Sequence, residues 1–250
     1  MSDTCDDSSL CGQIQELYTK LALHPEEGFA WGKGKENARA LGYDERWLQI
    51  LPEAVWESAA AVGNPFAIGR IGAGETVVDL GCGAGADVCV AALLVGSSGR
   101  VIGIDFTLAM VEKARANSKL AGLHNVEIHE ADFANLLLPD AFADVVISNG
   151  AINLSAHKLC VLKEAFRVLK PGGCLCIADM VREDASRESG AESSESTWAN
   201  CVAGTLSPVG FLDLLKQAGF VESKLVGTTG YRTSPETIGA LFRARKPGPV

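Results

Sequence analysis

The alternation of strand and helix patterns after Glu75 is the feature that most constrains the fold of this 250-residue chain. Short runs rich in Val and Ile alternate with longer segments that have helical spacing of apolar residues. The strand-like runs cover residues 76–80, 101–105, 126–132, 143–149 and 174–180, and further strands are expected near 220–226 and 238–245. Because parallel strands need right-handed crossovers, which helices supply, this order predicts an α/β fold with a mostly parallel sheet and helices on both faces.

The residues before this region lack the alternation. Residues 1–9 are small, polar and acidic, which predicts a disordered N-terminal arm. Residues 10–70 show helical spacing interrupted by Gly and Pro, and this pattern predicts a helical cap on the domain formed by residues 71–250. Residues 182–197 are charged and small residues without a period, so they are predicted to form a mobile loop.

A glycine-rich turn joins the first strand to its helix in the segment VVDLGCGAGA, residues 77–86. Gly81, Gly83 and Gly85 allow a ligand to approach the backbone, and the following helix presents unpaired N–H groups at its start. The same glycines loosely satisfy the dinucleotide fingerprint, and Asp105 ends the second strand where a ribose-binding acid is expected. A nicotinamide enzyme is therefore one interpretation of this turn.

Three further motifs favour another cofactor. Asp79 ends the first strand, where a carboxylate suits a cation better than a pyrophosphate. Residues 130–133, EADF, follow the third strand and offer an acceptor and an aromatic ring to an adenine. Residues 144–149, DVVISN, precede a helix that ends in FRVLKPGG at 166–173. In this order the motifs resemble class I S-adenosylmethionine-dependent methyltransferases, whose Rossmann-like fold is a seven-stranded sheet with one antiparallel strand near the edge.

The resemblance implies a site for S-adenosylmethionine at the carboxyl ends of the strands. Asp105 would meet the ribose and Asp132 would lie near the adenine. The full set of implied cofactor residues is Asp79, Gly81, Cys82, Gly83, Gly85, Asp105, Phe106, Thr107, Met110, Ala131, Asp132, Phe133 and Asn149. Cys82 is interpreted as a residue that fills space in the turn rather than as a nucleophile, and Thr107 is also predicted to cap the next helix.

Three segments narrow the resemblance to microbial arsenite methyltransferases: residues 40–43, 62–65 and 147–155, which read ALGY, VGNP and ISNGAINLS. In that family Cys thiolates hold trivalent arsenic. Val62 and Gly150 occupy two of the matching positions here, and only the third, Cys201, is retained. A single thiolate does not reproduce a multidentate site for a soft ion, so Cys5 or Cys11 would have to complete it.

The predicted reaction is therefore methyl transfer to a small soft nucleophile, such as a thiol, sulfide or selenium compound. Asn149, Gly150 and Cys201 would border the acceptor, and His157 is either a base or an ordinary surface or capping residue. Two other hypotheses stay open: arsenite methylation by Cys201 with an N-terminal Cys, and a non-catalytic module that binds S-adenosylmethionine. An in-line displacement needs mainly alignment of the reactants and requires no metal.

Charge and composition limit the partners. With 22 Lys and Arg against 31 Asp and Glu, the net charge of −9 disfavours nucleic acid as a partner. The N-terminus lacks signal-peptide features and no apolar run spans a membrane, so a cytoplasmic protein with a small-molecule acceptor is predicted, in an oligomeric state left open. Most of its eight Cys are expected to be reduced and buried. Cys174 and Cys176 lie on one face of a strand, where burial as small apolar residues is favoured over metal binding.

Overall fold

The structure is a computed structural model that describes residues 6–183 and 204–248, with side chains from residue 11 onward. Its strands are β1 (Thr76–Leu80), β2 (Arg100–Asp105), β3 (Val126–Glu130), β4 (Ala143–Asn149), β5 (Leu169–Arg182), β6 (Val221–Thr228) and β7 (Thr237–Arg245). They form a seven-stranded sheet in the order β3-β2-β1-β4-β5-β7-β6. Within this described sheet β7 runs antiparallel to both of its neighbours, β5 and β6, and all other neighbouring strands are parallel. The predicted sheet is confirmed.

Helices cover both faces of the sheet. They are α1 (Asp6–Leu23), α2 (Gly34–Ala40), α3 (Glu45–Ile50), α4 (Glu53–Glu57), α5 (Ala86–Val95), α6 (Leu108–Leu120), α7 (Lys158–Val168) and α8 (Pro208–Gln217), with 3-10 helices at Pro65–Ala67 and Ile152–Leu154. Val77 packs in a core with α5 and α6, whereas Val78 packs in a core with α7 and α8. Successive strand side chains point to opposite faces, so one apolar strand supplies both cores.

Three predicted boundaries differ from the structure. Helix α1 begins at Asp6, inside the arm predicted as disordered, because acidic residues are favourable at the positive end of the helix dipole. The helix predicted to end within 166–173 stops at Val168, and residues 169–173 already belong to β5, where the register shift between Ala143 and Val145 accommodates them. Within residues 10–70 the sequence pattern predicts a helix over 52–61, but the helix there ends at Glu57. Residues 184–197 of the predicted loop lie outside the described residues.

The N-terminal helices pack against the α5 and α6 side of the molecule. Ile14 and Leu21 of α1 are buried, and α1 contacts α6. Trp56 of α4 packs in a cluster with Cys89 and Val90 of α5. The described part of residues 10–70 is helical, as predicted, while its separation as a cap from 71–250 stays a prediction. None of the described helices is long and apolar enough to cross a lipid bilayer.

Candidate active site

A cavity lies at the carboxyl ends of β1, β2 and β4, beneath the N-terminal helices. Ligands of open α/β sheets bind at this end of the strands. The predicted site residues that line it are Asp79, Gly81, Cys82, Gly83, Asp105, Phe106, Met110, Phe133, Asn149 and Gly150. The structure therefore brings most of the predicted cofactor residues to one place.

The glycine turn between β1 and α5 has the backbone geometry that its sequence predicts. Gly81 and Gly83 have φ angles of 74° and 51°. A Cβ at Gly81 would lie 2.2 Å from the Cβ of Ala151, so a larger residue would collide there. Gly85, at φ 87°, is the N-cap of α5 and does not line the cavity. Burial raises the pKa of the Cys82 thiol well above its usual value, which agrees with a space-filling role.

Asp105 connects the glycine turn to the end of β2. Its Oδ2 accepts a hydrogen bond from the Gly83 N–H at 2.8 Å, and its Oδ1 accepts one from the Thr107 N–H at 2.9 Å. Burial raises the pKa of this carboxyl group, and the two N–H donors oppose that rise. Thr107 occupies the N-cap position of α6, but its side chain makes no capping bond and does not line the cavity.

Asp79 is a buried carboxylate that faces the cavity. It is 1% exposed, and no donor among the described residues bonds to its Oδ2. Burial, with the charges of Asp87 and Asp105, raises the pKa of Asp79 well above its usual value. These three carboxylates line the cavity, and none of the described lining residues is Lys, Arg or His. A buried charge without a partner is costly, so the cavity is complementary to a cationic ligand.

Asn149, at the end of β4, holds the cap to the sheet. Its Oδ1 accepts a hydrogen bond from the Val62 N–H at 3.0 Å, and its Nδ2 donates to Asp87 Oδ2 at 2.9 Å. The Tyr43 hydroxyl donates to Asp87 Oδ1 at 2.7 Å. Sequence reasoning missed Tyr43 and Asp87 as site residues. The available signal was Asp87 itself, a lone acid within the apolar helix sequence ADVCVAALLV.

Several predicted residues are not brought to the cavity. His157 is exposed at the N-cap of α7, and its N–H donates to Ser155 Oγ at 3.1 Å. Asp132 is exposed as well, and its Oδ1 accepts a hydrogen bond from the Ala134 N–H at 2.8 Å. Ala131 is also absent from the lining. Cys5 and Cys201 lie outside the described residues.

The two positions that lack the family's cysteines lie side by side. A Cβ at Gly150 would lie 3.3 Å from Val62 Cγ1. Gly150 has a φ angle of 69° and lines the cavity, and Val62 packs beneath α1 with Ile14 and Leu154. Residues 62 and 150 are 88 positions apart in sequence, so this proximity arises only from the fold.

The buried carboxyl groups predict a pH dependence of stability. Burial raises the pKa of Asp87 and Asp179 to about 6. The folded state therefore retains these protons more tightly than the unfolded chain does, and their contribution to stability is lost as the pH rises through about 6. In the native chain, Asp179 is expected to lower the free energy of unfolding by about 3 kcal/mol between about pH 4 and about pH 7. The Asp179→Asn variant should lack this decrease.

Urea denaturation of the native chain and of Asp179→Asn across this pH range measures the effect. Asp132→Asn is the matched control, because that carboxyl group is exposed. A parallel pH profile for the native chain and Asp179→Asn would contradict the prediction.

Comparison with known proteins identifies the class. Residues 71–224 match a family model described as a methyltransferase domain, and the chain belongs to this family. The predicted class of protein, a methyltransferase that uses S-adenosylmethionine, is confirmed at the level of the family, and the nicotinamide interpretation is set aside.

Particular relatives carry the narrower resemblance. The arsenite methyltransferase of Halobacterium salinarum is 37% identical over 180 residues, which are 72% of this chain and 46% of that protein. The arsenite methyltransferase of Aquipseudomonas alcaligenes is 39% identical over 160 residues, 61% of this chain and 46% of that protein. This chain thus spans less than half the length of these curated relatives.

One solved structure agrees with this similarity. An arsenic (III) S-adenosylmethionine methyltransferase from Chlamydomonas reinhardtii aligns with a TM-score of 0.61 and 29% identity, covering 85% of this chain and 73% of that one. The predicted similarity to arsenite methyltransferases is confirmed.

Proposed function

We propose that this protein transfers the methyl group of S-adenosylmethionine to a small soft nucleophile, such as a thiol, sulfide or selenium compound. The observation that carries the proposal is the cavity at the strand ends, where Asp79 presents a buried carboxylate with no donor at Oδ2 among the described residues. S-adenosylmethionine has a sulfonium and an ammonium group at its methionyl end. A carboxylate at this depth is complementary to those cations.

Other residues of the cavity also suit this cofactor. Asp105 is the candidate acceptor for the ribose hydroxyls, since carboxylate oxygens accept more than one hydrogen bond. Phe106 and Phe133 form an edge-to-face pair with ring centroids 6.1 Å apart, and both line the cavity with Met110 as an apolar surface for the adenine. A Cβ at Gly83 would meet no atom within 4 Å, so the turn leaves room for a ligand.

When bound, S-adenosylmethionine supplies an electrophilic methyl group on a positively charged sulfur. The protein has to align the nucleophile with that methyl group and to exclude water. Leu21, Trp56 and Leu154 give the cavity apolar walls. Asn149 fixes the position of the cap through its hydrogen bond from Val62.

The electrostatics of the cavity favour neutral or cationic acceptors. Three carboxylates line it, and the described lining contains no Lys, Arg or His, so phosphates and carboxylates are disfavoured as acceptors. A thiol would enter in its neutral form and has to lose a proton. Asp87 is the candidate to take that proton, because burial raises its pKa to about 6.

Arsenite methylation is the second candidate function, because the relatives in the comparison are named arsenite methyltransferases. It requires thiolates beside Cys201, and positions 62 and 150 supply none. Cys11 is exposed on α1, three residues before the buried Ile14. No observation favours a module that binds the cofactor without catalysis. The cytoplasmic location and the absence of nucleic-acid or membrane partners stay predictions.

The test is product mass spectrometry after incubation of the pure chain with labelled S-adenosylmethionine and a panel of thiols, sulfide, selenols, arsenite and amines. We expect methylated thiol or chalcogenide as the main product, in the native chain and in Cys201→Ser alike. Efficient arsenite methylation that is abolished in Cys201→Ser would reverse the order of the two candidates. Calorimetric binding of the cofactor without any methylated product would favour the binding module instead.

A further inference from the structure

Two cysteines on β5 form a close pair outside the cavity. The Sγ atoms of Cys174 and Cys176 lie 3.6 Å apart. Both residues are on the same face of the strand, where Arg245 and Arg243 of β7 stand directly opposite them. Cys176 is 1% exposed, but Cys174 is only partly buried, so the pair is open to solvent on the Cys174 side, contrary to the prediction that both are buried.

The surroundings of the pair activate one sulfur. The hydrogen bond between the two sulfurs, together with the Arg243 guanidinium, lowers the pKa of Cys174 below its usual value. The same hydrogen bond, with burial, raises the pKa of Cys176. Cys174 is therefore the sulfur that loses its proton more readily. A thiolate with a neighbouring thiol is a nucleophile with a second sulfur within reach.

The pair is separate from the cavity. Neither cysteine lines the cavity, whose residue Asn149 pairs with Ala178 instead. Ala178 is two and four residues from the cysteines along β5, which is roughly 7 and 13 Å of strand. Gly69 covers Cys176, since a Cβ at Gly69 would lie 2.2 Å from its Sγ.

We propose that Cys174 and Cys176 form a second thiol site, which chelates a soft thiophilic electrophile with two open coordination positions. Two sulfurs 3.6 Å apart can both bind one soft atom at about 2.3 Å, and the angle between the two bonds is then about 100°, which a pyramidal trivalent centre accommodates. Sulfur ligands select soft ions. No cluster of three or more His, Cys, Asp or Glu in the described residues is placed to hold a metal ion, so this site supplies two ligands.

A trivalent organoarsenical satisfies these requirements, and phenylarsine oxide is a suitable probe. The Cys174 thiolate forms the first As–S bond, the As=O double bond opens, and its oxygen takes a proton from water, which leaves as hydroxide. The Cys176 sulfur forms the second As–S bond, and its proton leaves with the oxygen as water. The arsenic stays trivalent, so no oxidant or reductant is needed. The site does not depend on methyl transfer.

The experiment uses the full chain with Cys5→Ser, Cys11→Ser and Cys201→Ser, which removes the candidate thiols of the acceptor site. Intact-mass spectrometry with phenylarsine oxide is expected to show one adduct in this background. Cys174→Ser in the same background should reduce the affinity at least tenfold, and Cys160→Ser, an exposed single thiol, should leave it unchanged. No adduct in the background, or an adduct that persists without Cys174 and Cys176, would overturn the proposal.

A second measurement keeps the proposal testable if Cys174→Ser does not fold. Peptide mapping after brief iodoacetamide treatment at neutral pH should show rapid alkylation of Cys174, and prior addition of phenylarsine oxide should protect it. Alkylation of Cys174 that the arsenical does not slow would count against the site. Calorimetric binding of S-adenosylmethionine should be unchanged in Cys174→Ser, which separates this result from failure of the proposed function.

Discussion

Asp79→Asn is expected to weaken the binding of S-adenosylmethionine by about 10- to 100-fold. The substitution keeps the shape of the side chain and removes the charge that is proposed to face the cationic end of the cofactor. Hydrogen bonds to charged groups contribute about 1.5–3 kcal/mol, which corresponds to this loss of affinity. Calorimetric titration of the full chain with S-adenosylmethionine measures it.

The same substitution is expected to have the opposite effect on the protein without cofactor. The buried Asp79 lacks a donor at Oδ2, so an amide there should leave the free energy of unfolding unchanged or higher. Asp132→Asn is the control, since that carboxylate is exposed and does not line the cavity. Equal losses of affinity in the two variants, or no loss in Asp79→Asn, would show that the cationic group lies elsewhere.

Val62→Cys combined with Gly150→Cys is expected to bring trivalent arsenic into the acceptor site. The two positions are adjacent, since a Cβ at residue 150 would lie 3.3 Å from Val62 Cγ1. Two thiolates there, with Cys201, would supply the soft ligands that the native chain lacks. We expect arsenite binding to tighten at least tenfold and arsenite methylation to rise, while thiol methylation falls because the acceptor space is filled.

A stability cost accompanies this gain. Gly150 has a φ angle of 69°, and a side chain in this conformation costs about 1–2 kcal/mol. The double substitution to Ser is the matched control, because it introduces the same strain and similar volume without thiolates. Arsenite methylation that rises equally in the Ser variant, or that survives Cys201→Ser in the Cys variant, would contradict a site with three thiolates.

Local patterns in the sequence were sufficient for the sheet and for the backbone of the glycine turn. Alternating strand and helix periods dictate a parallel sheet, and the glycines at 81 and 83 have the left-handed backbone that the turn needs. Asp79 was also predictable, because a strand followed by that turn places its last acid at the ligand edge of the sheet. These features depend on neighbouring residues, whose geometry the chain determines locally.

The tertiary structure alone decided which distant residues share the cavity. Tyr43 and Asn149 are separated by 106 positions, yet both are hydrogen-bonded in one network with Asp87. Asp132 and His157 follow the expected elements but are directed to solvent by the loops that carry them. The sequence determined the helices and strands of this protein through short-range periodicity. Packing between the N-terminal helices and the strand ends determined the charge and shape of its cavity. That packing brings together residues that have no periodic relation, so it cannot be predicted from a pattern along the chain.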